Sequence, residues 1–330
     1  MKWLLQRVLA AIAAVLVVAV AGGVLIQMQF TGEPTEWARS NGGNALWMGH
    51  AWVDGRNGQA ELDALAPRIS AGQISDVYVH VGPLELDGSL DAGLYPGAED
   101  FLRRFREALP DVRVSAWVGQ RVEAGRLDLS DDETRERIVA AASQVVDAGF
   151  DGVHYNFEPV NNNDRSLLDL LDATREEIGD DALLSSAVPQ VEPLAGLNFP
   201  IQLVTGKSKY WSTGYLTEVA ERLDQVAVMA YDTAMPMEGL YGGFVVRQTR
   251  LALEAVPEDV QLLMGVPAYP DDHATRNPEA ETTETSTRAI RLGLSSLPEP
   301  RERFGTALYV DFTATPEQWA AYQEGWVLPE

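Results

Sequence analysis

Short apolar runs alternate with amphipathic stretches along most of this sequence. The runs begin at Ala45, Ile74, Val112, Asp151, Ala182, Gln225, Gln261 and Gly305. Several of the stretches between them carry apolar residues at three- and four-residue spacing, which is typical of helices that bury one face. Near-continuous apolar strands that alternate with helices predict a parallel sheet covered by helices.

The number of these units favours a closed barrel. Eight strand–helix units in residues 45–330 fit a single-domain α/β fold, the (β/α)8 or TIM barrel, which usually takes about 250 residues. An open, doubly wound sheet is the alternative, but no glycine-rich phosphate loop follows the first run, so a dinucleotide-binding fold is not expected. One acidic, threonine-rich stretch, "PEAETTETSTR" at residues 278–288, is predicted to be a surface loop.

The composition excludes several classes of function. The chain has 49 acidic and 25 basic residues, a formal net charge of −24, and no cysteine. Nucleic-acid binding requires clustered positive charge, so no nucleic-acid partner is expected. Without cysteine the chain has no disulfide, no thiol nucleophile and no thiolate metal ligand. The excess of acidic residues itself indicates only solubility or adaptation to salt or an exposed environment.

The N-terminus carries an apolar segment of nearly membrane-spanning length. Lys2 and Arg7 precede an uncharged run from Val8 to Ile26, which approaches the ~20 apolar residues that span a bilayer. Positive charge before such a run predicts a cytoplasmic N-terminus and export of the remainder. A cleaved signal peptide is the alternative, because Ala19-Val20-Ala21 fits a small-residue cleavage site.

This interpretation divides the chain into three parts. We expect a signal anchor in residues 1–30, a polar, turn-rich linker in residues 31–44 and the barrel in residues 45–330. The chain is then a single-pass membrane protein whose barrel lies outside the cytoplasm. If the segment is cleaved, the barrel is secreted.

The fourth run, "DGVHYNFE", has one polar and one apolar face. Side chains alternate along a strand, so His154, Asn156 and Glu158 share one face and the apolar residues between them share the other. In barrels of this type the catalytic groups lie at the carboxyl ends of the strands, where Glu158 stands. We expect the polar face to line the barrel mouth and the apolar face to pack against the helices.

This run resembles the fourth-strand signature of glycoside hydrolase family 18, the chitinase-like family. The signature reads D-G-x-D-x-D-x-E. Asp151, Gly152 and Glu158 match it, whereas His154 and Asn156 stand where the family has aspartates. The resemblance implies a (β/α)8 barrel, in agreement with the spacing of the apolar runs.

Other segments share the resemblance. "VMAYD" at residues 228–232 is similar to the family's M-x-Y-D at strand six, and "LLMGVPAY" at residues 262–269 is similar to its apolar-Gly-apolar-Pro-x-Tyr segment at strand seven. "RVSAWVG" at residues 113–119 is a loose counterpart of S-x-G-G at strand three, and Tyr309 is nearest to the tryptophan that often ends strand eight. The chain between strands seven and eight is too short for the family's extra α+β insertion, so a shallower cleft is expected.

The resemblance implies a chemistry and a role for each matching residue. Family 18 enzymes are retaining glycosidases in which the substrate's own 2-acetamido oxygen attacks the anomeric carbon. By resemblance, Glu158 is the general acid/base, Asn156 replaces the aspartate that orients the acetamido group, and Tyr231 and Asp232 contact the reacting sugar. An amide still accepts a hydrogen bond from the acetamido N–H but brings no negative charge. The implied substrate is a polysaccharide or cell-wall glycan that contains N-acetylhexosamine, and no cofactor is implied.

Further residues are expected to bind the substrate. Trp47, Trp117 and Tyr309 lie near strand ends, where aromatic rings can stack on sugar faces. Asp151 and His154 join them as members of the fourth-strand motif. For His154 a buried, neutral role inside the barrel is the alternative.

Two alternatives follow from the same strand. The replacements at His154 and Asn156 favour a glycan-binding barrel with weak or no turnover. Glu158 can also be one of two catalytic carboxylates, with Glu192 or Asp232 as its partner; the distance between the carboxyl groups distinguishes retaining from inverting enzymes.

A metal-dependent hydrolase is the remaining alternative. His50, His80 and His154 lie near strands one, two and four. The sequence has neither His-x-His nor His-Glu-x-x-His spacing, so no metal is expected.

Overall fold

Eight parallel strands form a closed barrel in the computed structural model, which describes residues 3, 6–7, 20–123, 125–272 and 274–329. The strands pair in sequence order, and the last pairs with the first. In chain order, β1 to β8 are Asn44–Met48, Ile74–Pro83, Arg113–Arg121, Gly152–Glu158, Leu183–Val188, Gln225–Val228, Gln261–Pro267 and Phe304–Tyr309. Each strand overlaps one predicted apolar run, which confirms the (β/α)8 TIM barrel.

Helices connect the strands on the outside of the barrel. In chain order, α1 to α9 are Gln59–Ala71, Ala98–Ala108, Asp132–Asp147, Arg165–Ile178, Asn198–Thr205, Thr213–Ala220, Glu238–Ala255, Thr283–Leu294 and Pro316–Tyr322. Aspartate, serine or threonine side chains cap α3, α4, α6, α8 and α9, and so pair backbone N–H groups that a helix leaves without an internal partner. The connection from β5 to β6 holds two helices, so α5 is additional to the alternating pattern.

Apolar side chains pack in two separate layers. The larger layer lies between the strands and the helices, and from β4 it receives Val153, Tyr155 and Phe157. The smaller layer fills the barrel interior with four alanines and two large aromatic residues, Trp47 and Tyr78. The apolar face of β4 therefore packs outward and its polar face points into the barrel, as the alternation predicted.

A single amide closes the base of the barrel, the end where the strands begin. Asn44 Oδ1 accepts hydrogen bonds from the backbone N–H of Thr306 (3.1 Å) and the indole N–H of Trp326 (2.8 Å). Its Nδ2 donates to the carbonyl oxygens of Gly72 (3.2 Å) and Gln73 (3.1 Å). One side chain thereby joins the first strand, the last strand and the C-terminal segment.

The described part of the N-terminal segment lies against the outside of the barrel. Residues 20–28 are helical, and a Cβ at Gly243 in α7 would be only 1.9 Å from the backbone oxygen of Ile26, so glycine permits this approach. Residues 31–44 were predicted as a linker, but Asn44 begins β1 and the residues before it are held along the barrel. Ala38 in this stretch is completely buried, and Arg291 donates to its carbonyl oxygen (2.8 Å).

The predicted anchor lies largely outside the described residues. Its apolar run is described only from Val20 onward, and residues 8–19 are not among the described ranges. Within the described ranges, no helix combines the length and the apolar character needed to cross a membrane.

The acidic stretch at residues 278–288 is not a surface loop, so that prediction is wrong. Helix α8 begins at Thr283, and Glu281 is completely buried. The charge of Glu281 is tolerated inside the protein because its carboxylate accepts hydrogen bonds from the backbone N–H groups of Asp232 (2.7 Å) and Thr233 (3.0 Å).

Candidate active site

Glu158 ends β4 at the mouth of the barrel, where a cleft of about 390 Å³ opens. The loops after β4, β5, β6 and β7 line this cleft, and Tyr231, Asp232 and Lys209 are among the lining residues. The side chain of Glu158 is accessible from the cleft, while protein surrounds its carboxyl group on the remaining sides. We call this cleft, defined by Glu158, Tyr231 and Asp232, the catalytic cleft.

The surroundings of Glu158 favour its protonated form. Burial raises the pKa of Glu158, the nearby carboxylate of Asp232 raises it further, and Arg121 acts in the opposite direction. A carboxyl group with a raised pKa keeps its proton closer to neutral pH, as a general acid requires. Glu158 is thus suited to donate a proton to a ligand in the catalytic cleft.

Asn156 lies two positions before Glu158 on the same inward face of β4. Its Oδ1 atom is buried and has no hydrogen-bond partner among the described residues. A buried acceptor without a partner costs about 1–3 kcal/mol of folding stability. A ligand that brings an N–H group to this oxygen would recover that cost.

Aromatic rings line the wall between the strand ends. Tyr231 and Tyr309 stack with ring centroids 5.5 Å apart and planes inclined by 24°. Tyr269 meets both rings edge-on, and Trp117 lies 6.2 Å from Tyr309. Of the residues predicted for this site, Tyr231, Tyr309 and Trp117 are therefore joined by ring contacts, but only Tyr231 is among the residues that line the catalytic cleft.

A buried ion pair fixes the loop that carries Asp232. Asp232 has φ 57°, a left-handed conformation that few non-glycine residues adopt. Its Oδ1 accepts from the Tyr269 hydroxyl (2.7 Å), and its N–H donates to Glu281 (2.7 Å). Arg276 lies 3.9 Å from the same Glu281 carboxylate, and both side chains are buried. The sequence analysis missed Glu281 and Arg276, because their setting in an acidic, polar stretch indicated solvent exposure.

His154 lies beneath the catalytic cleft and does not reach it. It is completely buried and stacks on Tyr78 at a centroid distance of 3.7 Å. Trp47 donates its indole N–H to His154 Nε2 (3.1 Å), so the ring proton is on Nδ1, which donates to Ser185 Oγ (2.8 Å). Burial lowers the pKa of His154 to about 3, so the imidazole is neutral. The structure does not bring His154 or the buried Trp47 to a ligand in the cleft.

Asp151 is placed at the opposite end of the barrel. It precedes β4, whose seven residues rise about 23 Å between Asp151 and Glu158. Its Oδ1 accepts from Arg106 (2.7 Å) and its Oδ2 accepts from the backbone N–H of Val114 (2.7 Å). The structure therefore assigns Asp151 to the base of the barrel, although the motif had grouped it with Glu158.

A second cleft of about 360 Å³ opens beside β1 and β2. His50, His80 and Trp117 line it, and the His80 and Trp117 rings are 4.7 Å apart. His50 donates its Nδ1–H to the backbone oxygen of His80 (2.9 Å), and burial, with His50 as a second cause, lowers the pKa of His80 to about 4. In the part of the chain that the structure describes, no three histidine or acidic side chains are grouped so that they could hold a metal ion.

The two candidate partner carboxylates occupy different positions. Asp232 shares the catalytic cleft with Glu158. Glu192 accepts the backbone N–H of Asn198 (2.7 Å) and so supports the start of α5.

Comparisons of whole structures agree with the fold. No protein-family model matches the sequence, and no curated protein matches it at a significant level. The spore cortex-lytic enzyme SleL of Bacillus megaterium is 16% identical, with a TM-score of 0.60 over 87% of this chain and 75% of SleL. A glycoside hydrolase family 18 N-acetylglucosaminidase from Paenibacillus barengoltzii is 14% identical, with a TM-score of 0.55 over 86% of this chain and 99% of the enzyme.

A third similar structure contains a sugar. The family 18 chitinase of Cycas revoluta, solved in complex with (GlcNAc)3, is 14% identical, with a TM-score of 0.56 over 86% of this chain and 99% of the chitinase. At such identities the likeness is one of fold. The likeness supports the (β/α)8 barrel that the fourth-strand motif implied.

Proposed function

We propose that this protein is a retaining glycoside hydrolase that cleaves glycans containing N-acetylhexosamine with the participation of the substrate's own acetamido group. The observation that carries the proposal is the pair on β4. Glu158, with a raised pKa, stands at the cleft, and two positions before it the buried Asn156 Oδ1 has no partner among the described residues. One group is suited to give a proton, and the other to accept the N–H of an acetamido group.

In the first half of the reaction Glu158 protonates the glycosidic oxygen as the bond to the anomeric carbon breaks. The acetamido oxygen attacks that carbon from the opposite side and forms a cyclic oxazolinium ion. Asn156 holds the acetamido N–H so that its oxygen is in position. This geometry replaces a bimolecular attack by an intramolecular one, which is the source of much of the rate enhancement.

In the second half water opens the oxazolinium ion from the face that the leaving group vacated. Glu158, now ionised, removes a proton from that water, so the product keeps the configuration of the substrate. Asn156 brings no charge to balance the cation. Asp232, whose carboxylate acts on Glu158 in the same cleft, is the residue that supplies negative charge there.

We also propose that the barrel works outside the cytoplasm, attached through the N-terminal segment. The uncharged run from Val8 to Ile26 and the positive Lys2 and Arg7 before it support this location. Protease treatment of intact cells should degrade the barrel and leave cytoplasmic proteins whole. The mass of the mature protein distinguishes an anchor from a cleaved signal, which would remove about the first twenty residues.

A glycan-binding barrel without turnover is the second candidate function. The absence of a carboxylate at Asn156 favours it, since the acetamido-orienting position then lacks the charge that stabilises a cation. The two candidates predict the same ligand but different products.

The test is cleavage of chitin oligosaccharides and peptidoglycan fragments by the purified full-length chain. We expect products that keep the anomeric configuration of the substrate, which nuclear magnetic resonance of the anomeric proton measures. Glu158→Gln should lower kcat by about 10²–10⁴-fold without loss of thermal stability. The matched control is Glu192→Gln, which removes a mouth carboxylate but keeps an acceptor for Asn198, and it should retain activity.

Three results would contradict parts of this proposal. Equal cleavage by wild type and Glu158→Gln would exclude Glu158 as the acid. Equal cleavage of oligosaccharides with a 2-hydroxyl in place of the 2-acetamido group would exclude substrate assistance and favour two carboxylates. Binding of chitin oligosaccharides without any cleavage would support the second candidate.

A further inference from the structure

Helix α5 and the turn before it expose large apolar side chains at the rim of the barrel mouth. Leu194, Phe199, Leu203 and Val204 are 71%, 72%, 77% and 85% exposed. Phe199 and Leu203 are four residues apart, so they lie on the same face of the helix. We call these four residues the apolar rim. An exposed apolar cluster of this kind marks an interaction surface.

The apolar rim is built on a fixed support. The Asn198 side chain donates to the backbone oxygen of Tyr210 (2.7 Å) and accepts from its N–H (3.0 Å). Glu192 accepts the backbone N–H of Asn198, and Asn161, in the loop after β4, accepts the N–H of Ser208 (3.0 Å). Hydrogen bonds on both sides of α5 thus hold the helix at the mouth, with its apolar residues directed away from the barrel.

Positive charge accumulates beside the apolar rim. Lys207 and Lys209 are two of the three lysines in the chain. Arg121, Arg126 and Lys207 each lie 3.3 Å from the single carboxylate of Glu123. Three cations share this one carboxylate, so basic side chains are concentrated here on a chain of net charge −24. Lys209 lies next to them at the edge of the catalytic cleft, which Glu158 and Asp232 also line. We call Arg121, Arg126, Lys207 and Lys209 the basic rim.

The N-terminal apolar segment meets the barrel at the same end. In α7, Arg247 donates to the carbonyl oxygen of Pro193, which lies in the connection after β5 (3.3 Å). Helix α7 begins at the mouth end of the barrel. Gly243 and Gly239 precede Arg247 by four and eight residues, so they lie about 6 and 12 Å closer to the mouth than Arg247 does. The N-terminal helix packs on these two glycines, with the Ile26 backbone against Gly243.

We propose that the mouth end of the barrel faces an anionic lipid bilayer and contacts it directly. The apolar rim enters the interface between headgroups and acyl chains, and the basic rim binds lipid phosphates. Apolar residues flanked by lysines are the arrangement by which surface helices bind membranes. The inference rests on the proposed membrane attachment, because the N-terminal segment brings this end of the barrel to the bilayer.

The absence of cysteine makes the contact measurable. Phe199→Cys and Leu203→Cys, each labelled with an environment-sensitive fluorophore in the full-length chain, report on the apolar rim. Asp180→Cys is the matched control, because Asp180 is exposed in the turn between α4 and β5 at the base of the barrel. The labelled chains are reconstituted into phosphatidylcholine vesicles with and without phosphatidylglycerol, and nitroxide-bearing lipids serve as quenchers. We expect blue-shifted, quenched emission at residues 199 and 203 and neither effect at 180.

Charge reversal tests the basic rim. Lys209→Glu should weaken the quenching of the label at residue 203 on vesicles containing phosphatidylglycerol and leave it unchanged on phosphatidylcholine alone. Arg303→Glu, an equal charge change at the base, should have no effect on either.

The outcomes separate the two proposals. A chain that co-floats with vesicles but shows no more quenching at residues 199 and 203 than at 180 overturns the inference and leaves the membrane attachment standing. A chain that does not co-float overturns the attachment itself. Labels that are shielded only in intact cell envelopes, and never by lipid alone, would assign the apolar rim to a protein partner and likewise overturn the inference.

Discussion

The two ends of the barrel use asparagine in opposite ways. At the base, Asn44 has hydrogen-bond partners for both its oxygen and its nitrogen, and it ties the first strand to the last. At the mouth, Asn156 has a buried oxygen with no partner among the described residues, beside a glutamate whose pKa is raised. Asn44 therefore contributes stability through hydrogen bonds at both ends of its amide, whereas Asn156 leaves a buried oxygen unpaired at a cost in stability. The two asparagines of the barrel thus differ in whether their side-chain oxygen has a hydrogen-bond partner.

The largest effect is expected from Asn44→Ala. The substitution leaves the indole N–H of Trp326, the backbone N–H of Thr306 and the carbonyl oxygens of Gly72 and Gln73 without this partner. We expect a loss of about 3 kcal/mol or more in the free energy of unfolding, measured by urea denaturation.

A matched substitution controls for the change of residue type. Asn41→Ala replaces an exposed asparagine at the same end of the barrel, and it should cost about 0.5 kcal/mol or less. Equal losses for the two variants would contradict the role of Asn44 in closing the barrel. The kcat of the folded Asn44→Ala protein should be unchanged.

Asn156→Ala is expected to lower activity without a loss of stability. Loss of the acceptor for the acetamido N–H should lower kcat by about 10- to 100-fold, the equivalent of one hydrogen bond that strengthens in the transition state. The free energy of unfolding should not fall and should rise by up to about 1–3 kcal/mol, since an unpaired buried oxygen is removed and no internal hydrogen bond is lost.

A conservative variant tests whether the acceptor is what matters. Asn156→Asp keeps an oxygen at this position and should recover most of the activity, while its negative charge raises the pKa of Glu158 further. A large loss of stability in Asn156→Ala with unchanged kcat would place Asn156 with Asn44 among the structural residues and remove the contrast between the two ends.

The smallest effect is expected from Arg121→Met. Arg121 favours the ionised form of Glu158, so its removal raises the pKa of Glu158. The general acid must begin protonated, and activity falls as the pH rises through that pKa. The alkaline limb of the kcat profile should therefore move to higher pH, and only slightly because Arg121 is mostly exposed and screened by solvent. A shift to lower pH would contradict the assignment of Glu158 as the acid.

The fold was largely predictable from the order of apolar runs. All eight strands lie within or across those runs, since a strand of the barrel packs at least its outward face against the helices and so carries apolar residues. The exact ends were harder to predict. The first run continues to Val53, yet β1 ends at Met48 and His50–Trp52 form a 3₁₀ turn. An apolar run shows burial, and burial does not separate a strand from the turn that follows it.

It was predictable which side chains of β4 point into the barrel, but not which of them reach the catalytic cleft. A period of two residues correctly placed His154, Asn156 and Glu158 on the inward face. The rise of a strand also places Asp151, seven residues before Glu158, at the base. The period does not say that His154 is closed off from the cleft, because this depends on the rings of Trp47 and Tyr78 on neighbouring strands.

Buried charge was the least predictable feature. Glu281 and Arg276 lie in a stretch whose composition is typical of a surface loop. The burial of Glu281 depends on backbone N–H groups of the loop after β6, which is distant in sequence. A carboxylate that pairs with distant backbone groups produces no periodic pattern in the sequence, so its burial can be recognised only in the folded structure.

The contacts that Asn44 makes at the base of the barrel affect when the barrel can close during synthesis. Trp326 donates to Asn44 across 282 positions of sequence, and β1 pairs with β8 only through Ala45–Ala307 and Leu46–Leu308. During translation the first strand is synthesised long before the residues that complete it. The nascent chain therefore carries two open sheet edges until β8 has left the ribosome, and the hydrogen bond from Trp326 forms later still. A cell that moves this chain across a membrane from its N-terminus has that whole interval in which the barrel is unable to close.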